Sequence, residues 1–205
     1  MRILYNLLMV IIIILSPVIV FYRILKKKEN PKRFLEKFGF FKKKRVNGKL
    51  IWFHCSSVGE LLSIVPLIEK FEKNKNIKSI LISTSTLSSS KIFEKFKFKK
   101  TIHQFYPIDN PLIVNKFLCY WKPTAAFFVE SEIWPEMLKG LKRKKIKTFL
   151  LNARISKNSF HKWKYFKNFG ISVFGIFDFI FPQNKETFNY LRHFKVKKMK
   201  ILGNL

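Results

Sequence analysis

Leu50-Ile-Trp-Phe-His-Cys-Ser-Ser-Val-Gly-Glu60 decides the fold. An unbroken apolar run over 50–53 passes through a short polar turn into a helical pattern, which is how a strand buried on both faces leads into a helix. Working outward, the same arrangement returns twice. The apolar run 125–129 precedes Glu130-Ser-Glu-Ile-Trp-Pro135, and the run 148–151 precedes Asn152-Ala-Arg-Ile-Ser156. Further strand patterns cover 79–83, 102–106, 179–181 and, weakly, 200–202. Helical patterns fill 59–73, 88–98, 111–121, 133–144, 160–169 and 185–194, with Ser88 and Asp109-Asn110-Pro111 as start signals. Strands alternating with helices of this length predict βαβ units and one doubly wound, Rossmann-like α/β domain with a parallel sheet over 50–205. In such a sheet ligands bind beyond the carboxyl ends of the strands, which is where all three polar turns fall.

Upstream of the domain, residues 3–22 hold no charged side chain. About twenty apolar residues are what a helix needs to cross a bilayer core of roughly 30 Å, and Pro17 is tolerated in such a helix. A cleaved signal peptide has a shorter apolar region ending in small residues, whereas this run leads into Phe21, Tyr22 and Arg23. The reading is an uncleaved membrane-anchor helix over 1–25. Arg23, Lys26, Lys27, Lys28, Lys32 and Arg33 follow it against Arg2 before it, so the positive-inside rule puts the rest of the chain on the cytoplasmic side of the inner membrane. Residues 26–49 form a basic amphipathic juxtamembrane segment. Within it, Arg33-Phe-Leu-Glu-Lys-Phe-Gly39 reads as a short helix stopped by glycine, with Phe34, Leu35 and Phe38 on one face and Lys32, Arg33 and Lys37 on the other. It either rests on the membrane or caps the domain core.

The formal net charge of +29 raises nucleic acid as a partner. No RNP-type aromatic signature, zinc finger or helix-turn-helix accompanies it. Abundant Lys, Ile, Phe and Asn with scarce Gly and Ala is the bias of an AT-rich coding sequence. A basic surface beside an anchor is better matched to anionic lipid, so the expectation is a membrane partner and no nucleic acid. Cys55 and Cys119 are too few for a disulfide framework and read as buried, inert thiols. His54, His103, His161 and His193 lack metal-ligand spacing, and no Gly-x-Gly-x-x-Gly or Walker A pattern occurs; neither metal nor cofactor is expected.

The residues with chemical potential sit in the three turns. Glu60 opens a helix, where it either accepts a proton from an attacking hydroxyl or simply complements the helix dipole. Gly59 before it permits a tight turn and close ligand approach. Glu130 and Glu132, at i and i+2 on extended chain, bind sugar hydroxyls, balance positive charge or cap the next helix. Arg154 either clamps a phosphate or carboxylate or forms a salt bridge to one of those glutamates. Ser56, Ser57, Ser83, Thr84, Ser85, Thr86 and Asn152 add hydroxyl and amide groups, or merely turn the chain.

These segments resemble the N-terminal half of the 3-deoxy-D-manno-octulosonic acid (Kdo) transferases. The resemblance runs through the Leu4-Tyr5 start of the anchor, the 33–39 element, Ser57-Val-Gly-Glu60 with Pro66-Leu67, Tyr106-Pro-Ile-Asp109, Glu130-Ser-Glu-Ile-Trp-Pro135, Asn152-Ala-Arg-Ile-Ser156 and Gly203-Asn-Leu205. It implies the acceptor-binding domain of a two-domain GT-B fold, acting without a metal. The whole enzyme moves Kdo from CMP-Kdo to a lipid A precursor, lipid IVA. By the same resemblance Glu60 is the general base and Glu130 stabilises the transition state, while Ser56, Ser57, Gly59, Glu132, Asn152 and Arg154 are candidates for holding substrate. Two departures stand out: Ser88-Ser89 occupies the neighbourhood of the family's Thr-Gly pair, and the chain stops before the lysine and donor domain that follow in the family. The expectation is a chain inactive alone, with a non-catalytic remnant or lipid-binding membrane protein as the alternative reading.

Overall fold

The computed structural model describes residues 2–203, with side chains from residue 10 onward except residue 13. The Leu4 and Tyr5 side chains and the Asn204-Leu205 end of the chain therefore lie outside the described residues.

Six parallel strands form one sheet in the order β3-β2-β1-β4-β5-β6: β1 Leu50–His54, β2 Ser79–Thr84, β3 Thr101–Phe105, β4 Ala125–Val129, β5 Lys147–Ala153 and β6 Phe179–Pro182. Side-chain alternation along each strand divides the core into two layers. Leu50 and Trp52 of β1 join Phe128, Leu150 and Ile180 on one face, where α4 (Pro111–Trp121), α5 (Pro135–Arg143), α7 (Lys167–Phe174) and α8 (Lys185–His193) pack. Ile51 and Phe53 face the other way, towards Leu61, Ile64 and Ile68 of α2 (Val58–Lys73) and Phe93 of α3 (Leu87–Phe93).

Helix α1 (Arg2–Leu25) contains the stretch read as a membrane anchor. Among the described residues no helix is long and apolar enough to cross a membrane, and the side chains of residues 1–9 and 13 in that stretch are not described. Val18, Phe21 and Tyr22 are exposed. Just past the helix, buried Glu29 holds both Arg23 at 3.1 Å and Lys37 at 2.6 Å, fastening the end of α1 to the segment that follows.

That segment is a 3-10 helix, Phe34–Phe38, closed by Gly39 in the left-handed region at φ 80, a conformation that favours glycine. Its polar residues are docked rather than solvated. Glu36 accepts from Gln104 Nε2 and the Phe105 N–H, and Arg33 pairs with Glu36 at 2.7 Å while its Nη2 lies 2.9 Å from His103 Nδ1. The element thus caps the β3 edge of the sheet, while Phe34, Leu35 and Phe38 share an apolar groove with Pro17, Val20 and Ile24 of α1.

The strand expectations hold to within two residues, with one exception. Residues 200–202 make no strand; a single bridge joins Ile180 to Met199, and Ile201 and Leu202 stay exposed. The helix expected over 88–98 starts earlier, with Thr86 rather than Ser88 as its cap, and ends at Phe93, where the chain folds back so that Phe98 packs on Phe93. The Ser88-Ser89 departure sits in ordinary right-handed helix. The helix expected over 160–169 is broken at Phe166 into α6 (Lys157–Tyr165) and α7, because Trp163 packs against both Phe169 and Phe174. Cys55 is buried, but Cys119 is exposed: it lies on the solvent side of α4, opposite Val114, Phe117 and Leu118.

The docking of the 3-10 helix generates a pH test. Arg33 can only donate, so His103 Nδ1 must accept, and the remaining Nε2–H donates to Thr84 Oγ1 at 2.9 Å. Burial, with Arg33 and Lys43 nearby, pushes the His103 pKa down to about 3 from 6.5. The unfolded chain then binds this proton first, so the stability is full above about pH 6.5 and is lost as pH falls from there towards 3, at about 1.4 kcal/mol per pH unit. Urea midpoints between pH 7.5 and 4.5 will fall less steeply in His103→Gln, by one proton's worth; equal slopes contradict this account.

Candidate active site

The order of strands reverses between β1 and β4, which pair in parallel from Ile51↔Ala125 to His54↔Phe128. Helices leaving these two strands go to opposite faces and open a crevice at their carboxyl ends. The Ser56–Glu60 turn forms one wall, Glu130–Trp134 the other, and the bulged end of β5 extends the second.

Glu60 is fixed by a capping box at the start of α2. Its N–H donates to Ser57 Oγ at 3.2 Å, Ser57 Oγ donates to Glu60 Oε1 at 2.8 Å, and the Ser56 N–H donates to Oε2 at 2.8 Å. Both carboxylate oxygens are thereby oriented while lone pairs remain for a third donor. Ser89 Oγ donates to the Ser56 carbonyl at 3.2 Å, bracing the turn from α3. Gly59 lies in right-handed helix, so the tight-turn role read from sequence does not apply. A Cβ there would meet nothing within 4 Å, which leaves open space as its contribution.

Glu130 has φ 56, a left-handed conformation costing an L-residue on the order of 1–2 kcal/mol. Strain of this kind collects at functional sites. Its carboxylate makes no hydrogen bond or ion pair among the described residues. Burial and the neighbouring Glu60 raise its pKa, with Glu132 adding and Arg154 opposing. The helix-dipole reading accounts for Glu60 alone; it does not account for a second, unpaired carboxylate beside it.

Glu132 is engaged by the protein's own donors. Its Oε2 accepts from His54 Nε2 at 3.0 Å and Trp134 Nε1 at 2.8 Å, and it caps no helix. Burial alone raises its pKa, but the His54 and Trp134 hydrogen bonds outweigh that and lower it. His54, buried at the end of β1, is stacked on Tyr106 with ring centroids 3.8 Å apart, and its Nδ1 lies 3.1 Å from both the hydroxyl and carbonyl oxygens of Ser83. Helix α5 is capped instead by Asp109, whose two oxygens accept from the Glu136 and Met137 N–H groups. The sequence reading missed His54 and Asp109 in these roles. The one signal was an imidazole ending a wholly apolar strand, where an unpaired polar group is costly.

Arg154, expected to clamp a ligand or to bridge to a glutamate, is exposed and forms no ion pair among the described residues. Its N–H donates to the Glu130 carbonyl at 3.3 Å, and its carbonyl accepts from Ser131 Oγ, so the two strand ends are stitched through backbone. Asn152 takes the left-handed conformation at φ 50, which asparagine tolerates, and its buried Oδ1 has no hydrogen-bond partner among the described residues. Ser56 and Ser57 serve the Glu60 cap. Ser83 and Thr84 are buried, on His54 and His103 respectively, and Thr86 caps α3.

A family model described as 3-deoxy-D-manno-octulosonic-acid transferase (kdotransferase) matches residues 32–205. A 3-deoxy-D-manno-octulosonic acid transferase of Rickettsia bellii is 34% identical over 188 residues, 92% of this chain and 45% of that protein. A probable mitochondrial 3-deoxy-D-manno-octulosonic acid transferase of Arabidopsis thaliana is 37% identical over 142 residues, 69% of this chain and 32% of that protein. This chain thus spans less than half the length of either. Among solved structures, UDP-N-acetylglucosamine 2-epimerase from Rickettsia bellii superimposes with a TM-score of 0.55 at 16% identity, covering 77% of this chain and 45% of that one, which is a likeness of fold.

Two outcomes are expected. Glu132→Ala strands the His54 and Trp134 donors and will lower unfolding free energy by about 2 kcal/mol in urea titration; a loss below about 0.5 kcal/mol contradicts the network. Gly59→Ala will leave the thermal midpoint unchanged or slightly raised, since alanine suits a helix better than glycine; a clear drop contradicts the open space described.

Proposed function

The chain belongs to the 3-deoxy-D-manno-octulosonic-acid transferase family, and from that premise we propose that it is the acceptor-binding half of a GT-B-type enzyme transferring Kdo from CMP-Kdo to a lipid A precursor. In this reading the donor site lies outside the 45% of the Rickettsia bellii relative that this chain matches. In the proposed step an acceptor sugar hydroxyl enters the crevice between β1 and β4 and attacks the Kdo carbon bonded to CMP. The new C–O bond forms as the bond to the phosphate oxygen breaks, CMP leaves with the electron pair, and Glu60 takes the hydroxyl proton. Glu130 opposes the positive charge that develops on the sugar; that charge also relieves its repulsion with Glu60.

The observation that supports this reading most directly is the pair of neighbouring carboxylates, Glu60 oriented by Ser56 and Ser57, and Glu130 unpaired and strained. Helix α1 and the basic residues 23–33 fit a single-pass anchor that holds the domain at the cytoplasmic face of the inner membrane, next to an anionic glycolipid. In membranes containing this chain together with a separately expressed donor half, Kdo will pass from CMP-Kdo to lipid IVA, and Glu60→Ala will slow it roughly 10²–10⁴-fold. Undiminished transfer by Glu60→Ala would overturn the assignment, and no transfer by folded protein even with the donor half supplied favours a lipid-binding protein without catalysis.

A further inference from the structure

Beside the crevice, between the ends of β4 and β5 and the start of α6, lies a second hollow of about 140 Å³. Its lining includes Glu130, Arg154, Ser159 and Trp163, over a floor that includes Leu150 and Phe174. A fifth polar side chain of the lining, Ser131, donates its hydroxyl to the Arg154 carbonyl, but the other four have one property in common. The Glu130 carboxylate, the Arg154 guanidinium, the Ser159 hydroxyl and the Trp163 indole N–H have no hydrogen-bond or ion-pair partner among the described residues. Elsewhere in the crevice the carboxylates of Glu60, Glu132 and Asp109 are all engaged by protein donors. Arg154 is exposed and Ser159 and Trp163 are part-exposed, so water serves them in the free protein; what points to a ligand is that they converge with Glu130 on one hollow with an apolar floor.

The chemistry of the four groups defines that ligand. A guanidinium matches a planar or tetrahedral oxyanion. A carboxylate accepts from sugar hydroxyls, while a serine hydroxyl either donates or accepts. The indole offers an N–H and an apolar face, held in place by Phe169 and Phe174 at 6.0 and 5.2 Å between ring centroids. The hollow is small and suits a compact, ring-sized ligand.

We propose that this hollow is a subsite for a single pyranose ring bearing one anionic substituent, with Arg154 on the anion, Ser159 and Glu130 on hydroxyls and Trp163 against the ring. The assignment rests on the transferase reading and adds Ser159 and Trp163 to its substrate contacts. Glu130 borders both spaces, so a sugar seated here is positioned against the reacting centre. The anionic sugar comes either from a phosphorylated acceptor or from the carboxylate-bearing donor sugar.

The test is direct binding to the full chain in detergent, followed by calorimetry and tryptophan fluorescence. The probes are N-acetylglucosamine 1-phosphate, glucuronate, uncharged N-acetylglucosamine and inorganic phosphate. The subsite predicts that one of the two anionic sugars binds more tightly than both inorganic phosphate and the uncharged sugar; the phosphate ester marks the acceptor as its source and the carboxylate marks the donor. Arg154→Gln will weaken that binding by about tenfold or more, as expected for loss of a charged hydrogen bond, whereas Lys164→Gln, which removes an equal charge on α6 outside the hollow, will not. Trp163→Phe will abolish the fluorescence change, and Ser159→Ala will weaken binding severalfold. Inorganic phosphate binding as well as either sugar, equal losses in the Arg154 and Lys164 variants, or no binding of any probe would overturn the proposal. Because the readout needs no transfer, binding without Kdo transfer leaves the subsite standing and removes only the transferase reading.

Discussion

The pairing of β1 with β4, two strands separated in sequence by two full βα units, is the constraint on which the crevice depends. Strands β2 and β3 are laid down on one side of β1, and the chain must return across it to place β4, β5 and β6 on the other. The helices that follow β1 and β4 therefore pack on opposite faces, α2 against the Ile51 and Phe53 layer and α5 against the Trp52 and Phe128 layer. The turns that begin those helices cannot cover one another, and the space between them is the crevice. Asp109 and Glu132 lock it from the far side: one ties the end of β3 to the start of α5, the other ties β1 to the loop after β4.

Charge in this small region is arranged with a division of labour. Glu132 carries a carboxylate whose hydrogen bonds lower its pKa despite burial, and its role is to hold Trp134 and His54 in place. Glu130, two residues earlier, has no such donors, a strained backbone and a raised pKa. The buried Cys55 thiol is pushed up by burial and by Glu60 and Glu132, which keeps it protonated and inert beside the crevice. Neighbours in sequence thus do opposite things, because one points into the protein's own network and the other does not.

Much of this was legible in the sequence, for definite reasons. Short apolar runs of four to six residues, each bounded by a polar turn, fit strands buried on both faces, and the turn marks the strand end; that pattern gave all six strands to within a residue at the start and placed Glu60, Glu130 and Arg154 on the ligand-binding edge. What the sequence could not show was which polar group satisfies which. Glu132 and Glu130 look equivalent at i and i+2 until His54, 76 or more residues away, claims one of them. Arg33 reads as one more basic residue on the polar face of an amphipathic helix, beside Lys32 and Lys37, until Glu36 and His103 supply its partners and the Phe105 N–H ties Glu36 to the sheet edge. The break at Phe166 and the early end of α3 follow from aromatic contacts across the chain, which no local propensity encodes.

Hydrogen–deuterium exchange of the full chain in nanodiscs, with and without lipid IVA, tests the central claim most directly. Binding at the β1–β4 crevice predicts protection of the amides of residues 56–60 and 130–134 when the glycolipid is present, with the lower ends of the strands unchanged. Protection confined to α1 and residues 26–39, with no change at those two turns, would show a chain that holds lipid only at its membrane-side segment and would contradict the account.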